Sequence, residues 1–351
     1  MKCGIVTVYN SENCGSFLQA YAMSRVLKHE GYDVVFIRQN FGDHSASRRN
    51  YLKKKLKAIL KAVIKNDFAC VRQPQICRCM FKRAISEQLQ IATTADKMDC
   101  YILGSDVIWA ITVPFFRNHM DFFWGTRFGN EKIISYAPSV GFAKEEDMKK
   151  CDFIRENLGR MSAVSVRDVP SKELLQPYCD REIQIVCDPT YLLDKEAYDV
   201  IAKPTDLKDF LFIYCYGKLP SDYKEAIQAF AKEKNLKTVT FGGANPWCDI
   251  NLAYDPLLFL SIYDKADYII TNTFHGTVFA TIYEKRFAVI KNDKPKVLNV
   301  LQMCCLSDKM TKTPEDISLI LESNFDYDVT RQKIFSEREK SIQYLKTAIE
   351  E

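Results

Sequence analysis

The chain has 351 residues, 47% of them hydrophobic, which is enough for two domains of about 100 to 200 residues with cores of their own. A formal net charge of +4 is too small to point to nucleic acid, and thirteen cysteines, an odd number scattered through stretches that read as buried, fit reduced thiols better than a secreted disulfide framework. No apolar run reaches the roughly 18 residues that cross a bilayer, and Met1-Lys2-Cys3-Gly4-Ile5-Val6 opens as a strand rather than a signal peptide, so a cytoplasmic protein is expected.

Residues 3–8 form a short apolar run rich in β-branched side chains. A polar loop, Asn10-Ser11-Glu12-Asn13-Cys14-Gly15-Ser16, follows, and then an apolar-periodic segment over 17–27 that stops at Gly31. With the next strand at 33–37 this predicts a βαβ unit, the building block of a parallel sheet covered by helices. The loop places backbone N–H groups at a helix start, where a phosphate, a carboxylate or sugar hydroxyls can bind, and Asn13 and Gly15 are its candidate contacts. The spacing is not the dinucleotide fingerprint. Gln19, one turn into the helix, reads either as a solvated residue or as a ligand contact.

Between Asp43 and Asp67 stand Arg48, Arg49, Lys53, Lys54, Lys55, Lys57, Lys61 and Lys65 without an intervening acid. Leu52, Leu56, Ile59, Leu60, Val63 and Ile64 fall at helical spacing among them. Residues 48–65 are therefore expected to form a cationic amphipathic helix, which either packs on its own domain or touches an anionic membrane surface peripherally. A second helix is expected over about 74–91.

A strand at 101–103 enters Gly104-Ser105-Asp106, with Trp109 three residues on. A carboxylate at that edge can take a proton from a hydroxyl while Ser105 and Trp109 contact a sugar; the competing reading is a capped turn and a core tryptophan. Strands at 133–136, 163–166 and 183–186 follow. The third of these leads into Asp188-Pro189-Thr190, and Ser165-Val166-Arg167-Asp168 puts an arginine at a buried strand end. Arg167 either clamps an anion or pairs with Asp168. Residues 193–209 read as an interdomain connection.

A second α/β series follows, with strands at 210–214, 238–241, 268–271 and 287–290 and helices at 223–234, 257–263 and 277–284. Gly242 and Gly243 after the second of these strands can bring backbone N–H groups to an anion. The strand 268–271 delivers Thr271-Asn272-Thr273-Phe274-His275-Gly276. His275 is one of only four histidines and is suited to general acid or base chemistry near neutrality, although a capped or core histidine would also fit. No metal is expected, because Cys77-Arg78-Cys79 and Cys304-Cys305 are poor zinc spacing and no second histidine or acid cluster stands at ligand distance.

Several of these segments, in order, resemble the polysaccharide pyruvyl transferase family. They are Asn13-Cys14-Gly15-Ser16-Phe17-Leu18-Gln19-Ala20-Tyr21-Ala22, Gly104-Ser105-Asp106-Val107-Ile108-Trp109, Ile134-Ser135-Tyr136-Ala137-Pro138-Ser139-Val140-Gly141, Val166-Arg167-Asp168, Asp188-Pro189-Thr190 and the stretch around Phe274-His275-Gly276. The resemblance implies an α/β fold of two Rossmann-like, doubly wound lobes, similar to GT-B glycosyltransferases, with a cleft between them. The first lobe, 1–192, would be the acceptor side and the second, 193–329, would carry the histidine motif, while a terminal helix at 330–351 crosses back to the first.

The implied reaction moves a pyruvyl group from phosphoenolpyruvate, a donor substrate with no cofactor, onto two hydroxyls of a saccharide or lipid-linked oligosaccharide as a cyclic ketal. His275 would be the general acid and Arg167 would hold the donor's anionic groups, with Thr273 and Gly276 beside the histidine. This sequence departs from the family pattern at one place: Thr273-Phe274-His275 stands where members of known activity tend to carry Arg-Leu-His, so the donor's usual cation needs a replacement. A nucleotide-sugar glycosyltransferase on the same scaffold and a non-catalytic saccharide-binding protein are the alternative readings.

Overall fold

The computed structural model describes residues 1–39, 41, 69–93, 96–242, 245–291 and 295–351, so the basic stretch 48–65 and Gly243 lie outside the described residues. The chain forms two compact units, one of Met1–Gln39, Ile85–Leu193 and Ile334–Glu351, the other of Asn40–Ala84 and Asp194–Lys333.

In the first unit, strands β1 (Lys2–Val6), β2 (Asp33–Phe36), β3 (Cys100–Leu103) and β4 (Lys132–Ser135) pair in the order β2-β1-β3-β4, every neighbour parallel. Strands β5 (Ser165–Val166) and β6 (Gln184–Ile185) form a further parallel pair, tied to β4 by the bridge Ile134↔Ala163. Parallel sheets are covered on both faces, which is why β1, β3 and β4 read as apolar runs without alternation. Packing around β1 is tight: a Cβ on Gly4 would lie 2.8 Å from Ile37 Cδ1 and 3.0 Å from Met98 Cγ.

The helix Cys14–His29 is buried nearly all round, polar residues Ser16, Gln19 and Ser24 included. A helix in that position sits in the core rather than on its rim. The end of the chain belongs to this unit as well. Within helix Asp328–Glu350, Ser341 Oγ accepts from Cys187 N at 2.9 Å and Tyr344 Oη donates to Ser135 O at 2.9 Å, while Ile349 O accepts from Lys132 Nζ.

The second unit holds β7 (Phe210–Tyr214), β8 (Lys237–Phe241), β9 (Ile250–Leu252), β10 (Tyr268–Thr271) and β11 (Arg286–Val289), all parallel, in the order β11-β10-β7-β8-β9. Every residue of β7 is buried. The order runs outward in both directions from the first strand of each series, the doubly wound pattern expected from the sequence.

One boundary differs from the sequence reading, which kept residues 1–192 together. Described residues 69–84, most of helix Ala69–Gln88, fall in the second unit. Cys77 Sγ accepts from Tyr254 N at 3.2 Å, and the Phe81 ring lies 5.7 Å from that of Tyr254. No helix among the described residues is long and apolar enough to cross a membrane.

Candidate active site

In each unit the strand order reverses direction beside the first strand, between β1 and β3 in one and between β7 and β10 in the other. Open parallel sheets bind ligands outside the carboxyl ends of the strands at such switch points. Both include residues that the sequence singled out.

At the first switch point Thr7 follows β1 and Ser105 follows β3, and Thr7 Oγ1 donates to Ser105 O at 3.0 Å across the reversal. Ser105 is fully buried and its hydroxyl donates to Ala137 O at 2.8 Å, which matches the turn reading of this segment. Asp106 is half-buried in the left-handed region at φ 75°. A non-glycine residue held there costs on the order of 1–2 kcal/mol. Its Oδ2 accepts from Ser16 Oγ at 2.8 Å and its Oδ1 from Val107 N at 2.8 Å.

The helix start beside it is already capped. Asn13 Oδ1 accepts from Gly15 N at 2.9 Å and from Ser16 N at 3.2 Å, so these N–H groups serve the cap and not an incoming anion. Gln19 is neither solvated nor at the surface. It is fully buried, and its Nε2 donates to Thr7 Oγ1, Val8 O and Ser16 O. The expected stacking of a sugar on Trp109 is likewise replaced by a core role: the ring is fully buried, lies 4.6 Å from that of Trp124 and donates its N–H to Phe123 O.

Arg167 is in an ion pair, with Asp188 rather than Asp168. Arg167 Nη1 meets Asp188 Oδ2 at 2.7 Å, with the two side chains only 5% and 1% exposed. Burial works against the guanidinium's charge, but Asp188, helped by Asp106 and Asp168, outweighs it and raises its pKa above the ordinary value. Asp168 instead caps the next helix by accepting from Ser171 N. The expected pairing with Asp168 is replaced by one with Asp188, which takes Nη1 of the guanidinium. The first switch point is thus a hydrogen-bonded polar frame in which Asp106 is half-buried.

At the second switch point the sequence motif is assembled as a helix start. The helix spans Phe274–Ile282, three residues earlier than expected, and so takes His275 into its first turn. Thr273 is the N-cap, with Oγ1 accepting from Gly276 N at 3.0 Å and lying 3.0 Å from Thr271 Oγ1. Gly276 has no room for a side chain: a Cβ would lie 2.1 Å from Thr271 Oγ1 and 2.4 Å from Thr273 Oγ1. Its carbonyl accepts from Tyr263 Oη. His275 is half-buried beside Phe274, with ring centroids 4.9 Å apart. Lys296, on helix Pro295–Met303, places its Nζ 5.8 Å from the Phe274 ring centroid.

Across the same reversal, Asn272 fastens to the chain after β7. Its Oδ1 accepts from Tyr216 N and its Nδ2 donates to Tyr216 O, both at 2.9 Å. The hydroxyls of Tyr214, Tyr216 and Tyr254 meet one another, at 2.9 Å for Tyr214–Tyr216 and 2.6 Å for Tyr216–Tyr254. Gly242, after β8, has φ 67° but donates its N–H to Leu252 O, so it closes the turn and is not turned towards an anion. Among the described residues no group of histidines, cysteines and acids is placed to hold a metal ion.

Sequence reasoning passed over Lys296, Tyr216 and Tyr254. Tyr216 stands two residues past a predicted strand end, a place where ligand-facing residues gather, and that position was the available signal. It also left Asp188 without a role as the partner of Arg167, although the segment Asp188-Pro189-Thr190 stood among the family-like ones.

Two doubly wound parallel sheets define a GT-B-like fold. The chain is similar along 99% of its length to crystal structures of UDP-N-acetylglucosamine 2-epimerases, at 13% identity, 94% of that chain and a TM-score of 0.54 for one of them. The enzyme of Methanocaldococcus jannaschii, in complex with UDP-GlcNAc and UDP, gives 10% identity, a TM-score of 0.51 and coverage of 99% of this chain and 100% of that one. The Rickettsia bellii enzyme gives 10%, 0.50, 99% and 96%. Identities so low speak for the fold alone. A comparison with curated proteins returns no match. The model of the polysaccharide pyruvyl transferase family matches residues 13–294, and the chain belongs to that family.

Proposed function

We propose that this protein transfers the pyruvyl group of phosphoenolpyruvate to two hydroxyls of a saccharide, forming a cyclic ketal in the synthesis of a surface polysaccharide. The observation that carries the reading is His275, held in the first turn of helix Phe274–Ile282 at a switch point, inside the stretch matched by the family model.

His275 gives a proton to the methylene carbon of the donor, which makes the adjacent carbon electrophilic. One sugar hydroxyl adds there and a second displaces phosphate. Two C–O bonds form and one breaks, and of the two hydroxyl protons released one balances the new methyl group and the other ends on the departing phosphate, which leaves as hydrogen phosphate. The motif arginine is absent, and Lys296, 5.8 Å from the Phe274 ring, is the cation we assign to the donor's charge in its place. The acceptor is a saccharide, free or lipid-linked.

The test is phosphate release from phosphoenolpyruvate across a panel of saccharide acceptors. Release that requires an acceptor, vanishes in His275→Ala and shows a raised KM for phosphoenolpyruvate in Lys296→Ala, by about tenfold for a lost charge-assisted contact, supports the reading. Tight binding of a nucleoside diphosphate with none of phosphoenolpyruvate would overturn it in favour of a nucleotide-sugar transferase.

A further inference from the structure

The chain leaving β7 carries an aromatic side chain in an uncommon setting. Tyr216 is 45% exposed, whereas Tyr214, two residues before it, is 3% exposed. An exposed tyrosine is ordinarily mobile at its tip, but this one is fixed at both ends. Its backbone N–H and C=O are both taken by the Asn272 side chain, which replaces the ladder contacts that end with β7 and β10. Its hydroxyl lies 2.9 Å from that of Tyr214 and 2.6 Å from that of Tyr254. Tyr254 is itself anchored, with its N–H on Cys77 Sγ and its ring against those of Phe81 and Phe241.

The placement matters as much as the rigidity. Asn272 is three residues before His275 in the same strand-to-helix turn, and Tyr216 stands at the carboxyl edge where β7 and β10 part. This is the topological switch point, the position at which open parallel sheets take their ligands. A partly exposed aromatic ring held there by hydrogen bonds at both ends loses little conformational entropy on binding and favours a flat, C–H-rich partner. The polar rim favours hydroxyls: the Tyr216 and Tyr254 oxygens, bonded to each other, keep lone pairs that can accept from a sugar.

We infer that Tyr216, held by Asn272, Tyr214 and Tyr254, is a stacking platform for a pyranose ring in the second unit. The inference rests on the proposed reading that the acceptor is a saccharide, and it gives the second unit a sugar contact that the sequence reading left to the first. Tyr216 is a binding residue here, and the hydroxyl cluster positions it.

The probes are methyl glycosides of glucose, galactose, mannose and N-acetylglucosamine, observed by saturation-transfer NMR on the full chain. Wild-type protein is expected to bind at least one of them with the strongest transfer to ring C–H protons. Tyr216→Ala should weaken that binding about tenfold, while Tyr216→Phe, which keeps the ring, stays within about twofold. Unchanged thermal unfolding in both variants separates lost stacking from lost structure. Equal binding by wild type and Tyr216→Ala overturns the inference, as does failure of every glycoside to bind, or Tyr216-dependent binding of uridine diphosphate in their place. Phosphate release from phosphoenolpyruvate, measured on the same preparations, tells the two readings apart. Tyr216-dependent glycoside binding without turnover leaves the platform and removes the pyruvyl reaction. Turnover with an unaltered acceptor KM in Tyr216→Ala does the reverse.

Discussion

Gly276 and Thr271 are in such close approach that a Cβ on the glycine would lie 2.1 Å from the threonine's Oγ1. Here the missing side chain, and not a turn conformation, is what the position requires. The absence of that Cβ lets the first turn of helix Phe274–Ile282 sit directly on the end of β10, and His275 is carried with it.

Gly276→Ala is therefore expected to destabilise the protein although alanine is the better helix former by about 1 kcal/mol. Overpacking of this kind costs about 1–3 kcal/mol, and contacts this short with two threonine hydroxyls put the change near the top of that range. Urea unfolding measures it. A variant as stable as the parent would show that the helix start can yield, and with it that His275 is less firmly placed than described.

Thr273 occupies the position of the family's arginine, yet in this chain it has a structural task. Its hydroxyl caps Gly276 N, and it is only 5% exposed. Thr273→Ser should be nearly neutral, and Thr273→Val, which keeps the shape but leaves the Gly276 N–H without its acceptor, should cost about 1–2 kcal/mol. Restoring the arginine by Thr273→Arg is expected to cost more still, since it removes the cap and forces a charge into a closed site, and activity should fall with it. An arginine variant both stable and more active would refute the capping role.

The parts of this arrangement differ in how far the sequence disclosed them. Strands β7 and β10 fall at residues 210–214 and 268–271 as the apolar runs predicted, because a fully buried parallel strand needs little beyond apolar side chains and a polar end. Strand β9 was not predicted: Ile250–Leu252 is three residues long and half-buried, too short for a pattern. The helix start at Phe274 was placed late because Gly276 looks like a turn residue until Thr271 and Thr273 are seen against it. The side chains for which the sequence left a substrate contact open, Ser105, Trp109 and Gln19, are all fully buried, and for one reason. Each stands at a strand end or helix start where ligands bind, and whether it faces solvent or core depends on neighbours distant in sequence, such as Phe123 for Trp109.

The Arg167–Asp188 pair gives a third expectation. Asp188 uses both carboxylate oxygens, Oδ2 on Arg167 and Oδ1 on the N–H and hydroxyl of Thr190. Asp188→Ala leaves a buried guanidinium uncompensated and should cost about 3–5 kcal/mol. The double change Arg167→Met with Asp188→Leu, which removes both charges, should cost clearly less than the single one. If Asp188→Ala unfolds at the same urea concentration as the parent, the buried guanidinium does not depend on Asp188 for compensation.

The cysteines give a dependence on pH. Burial pushes the thiols of Cys3 and Cys187 up to about 11 and those of Cys100 and Cys248 up to about 12, from an ordinary value of 9.0. A thiol whose pKa is raised by folding stays protonated in the native state while the unfolded chain ionises. Its contribution to stability is complete below pH 9 and is lost as the pH rises through the folded-state value. Stability should accordingly fall between pH 9 and about 11 to 12. Replacing Cys100 by alanine or valine should flatten that fall, whatever it does to stability at neutral pH. The same burial orders reactivity, since the thiolate is the attacking species. Iodoacetamide at pH 8 should label the exposed Cys79 and Cys305 first and spare Cys3, Cys100, Cys187 and Cys248 until the protein is unfolded. Peptide mapping by mass spectrometry reads the order directly, and early labelling of Cys100, which pairs with Cys3 across the β1–β3 ladder, would mean that the first sheet opens far more readily than its burial implies.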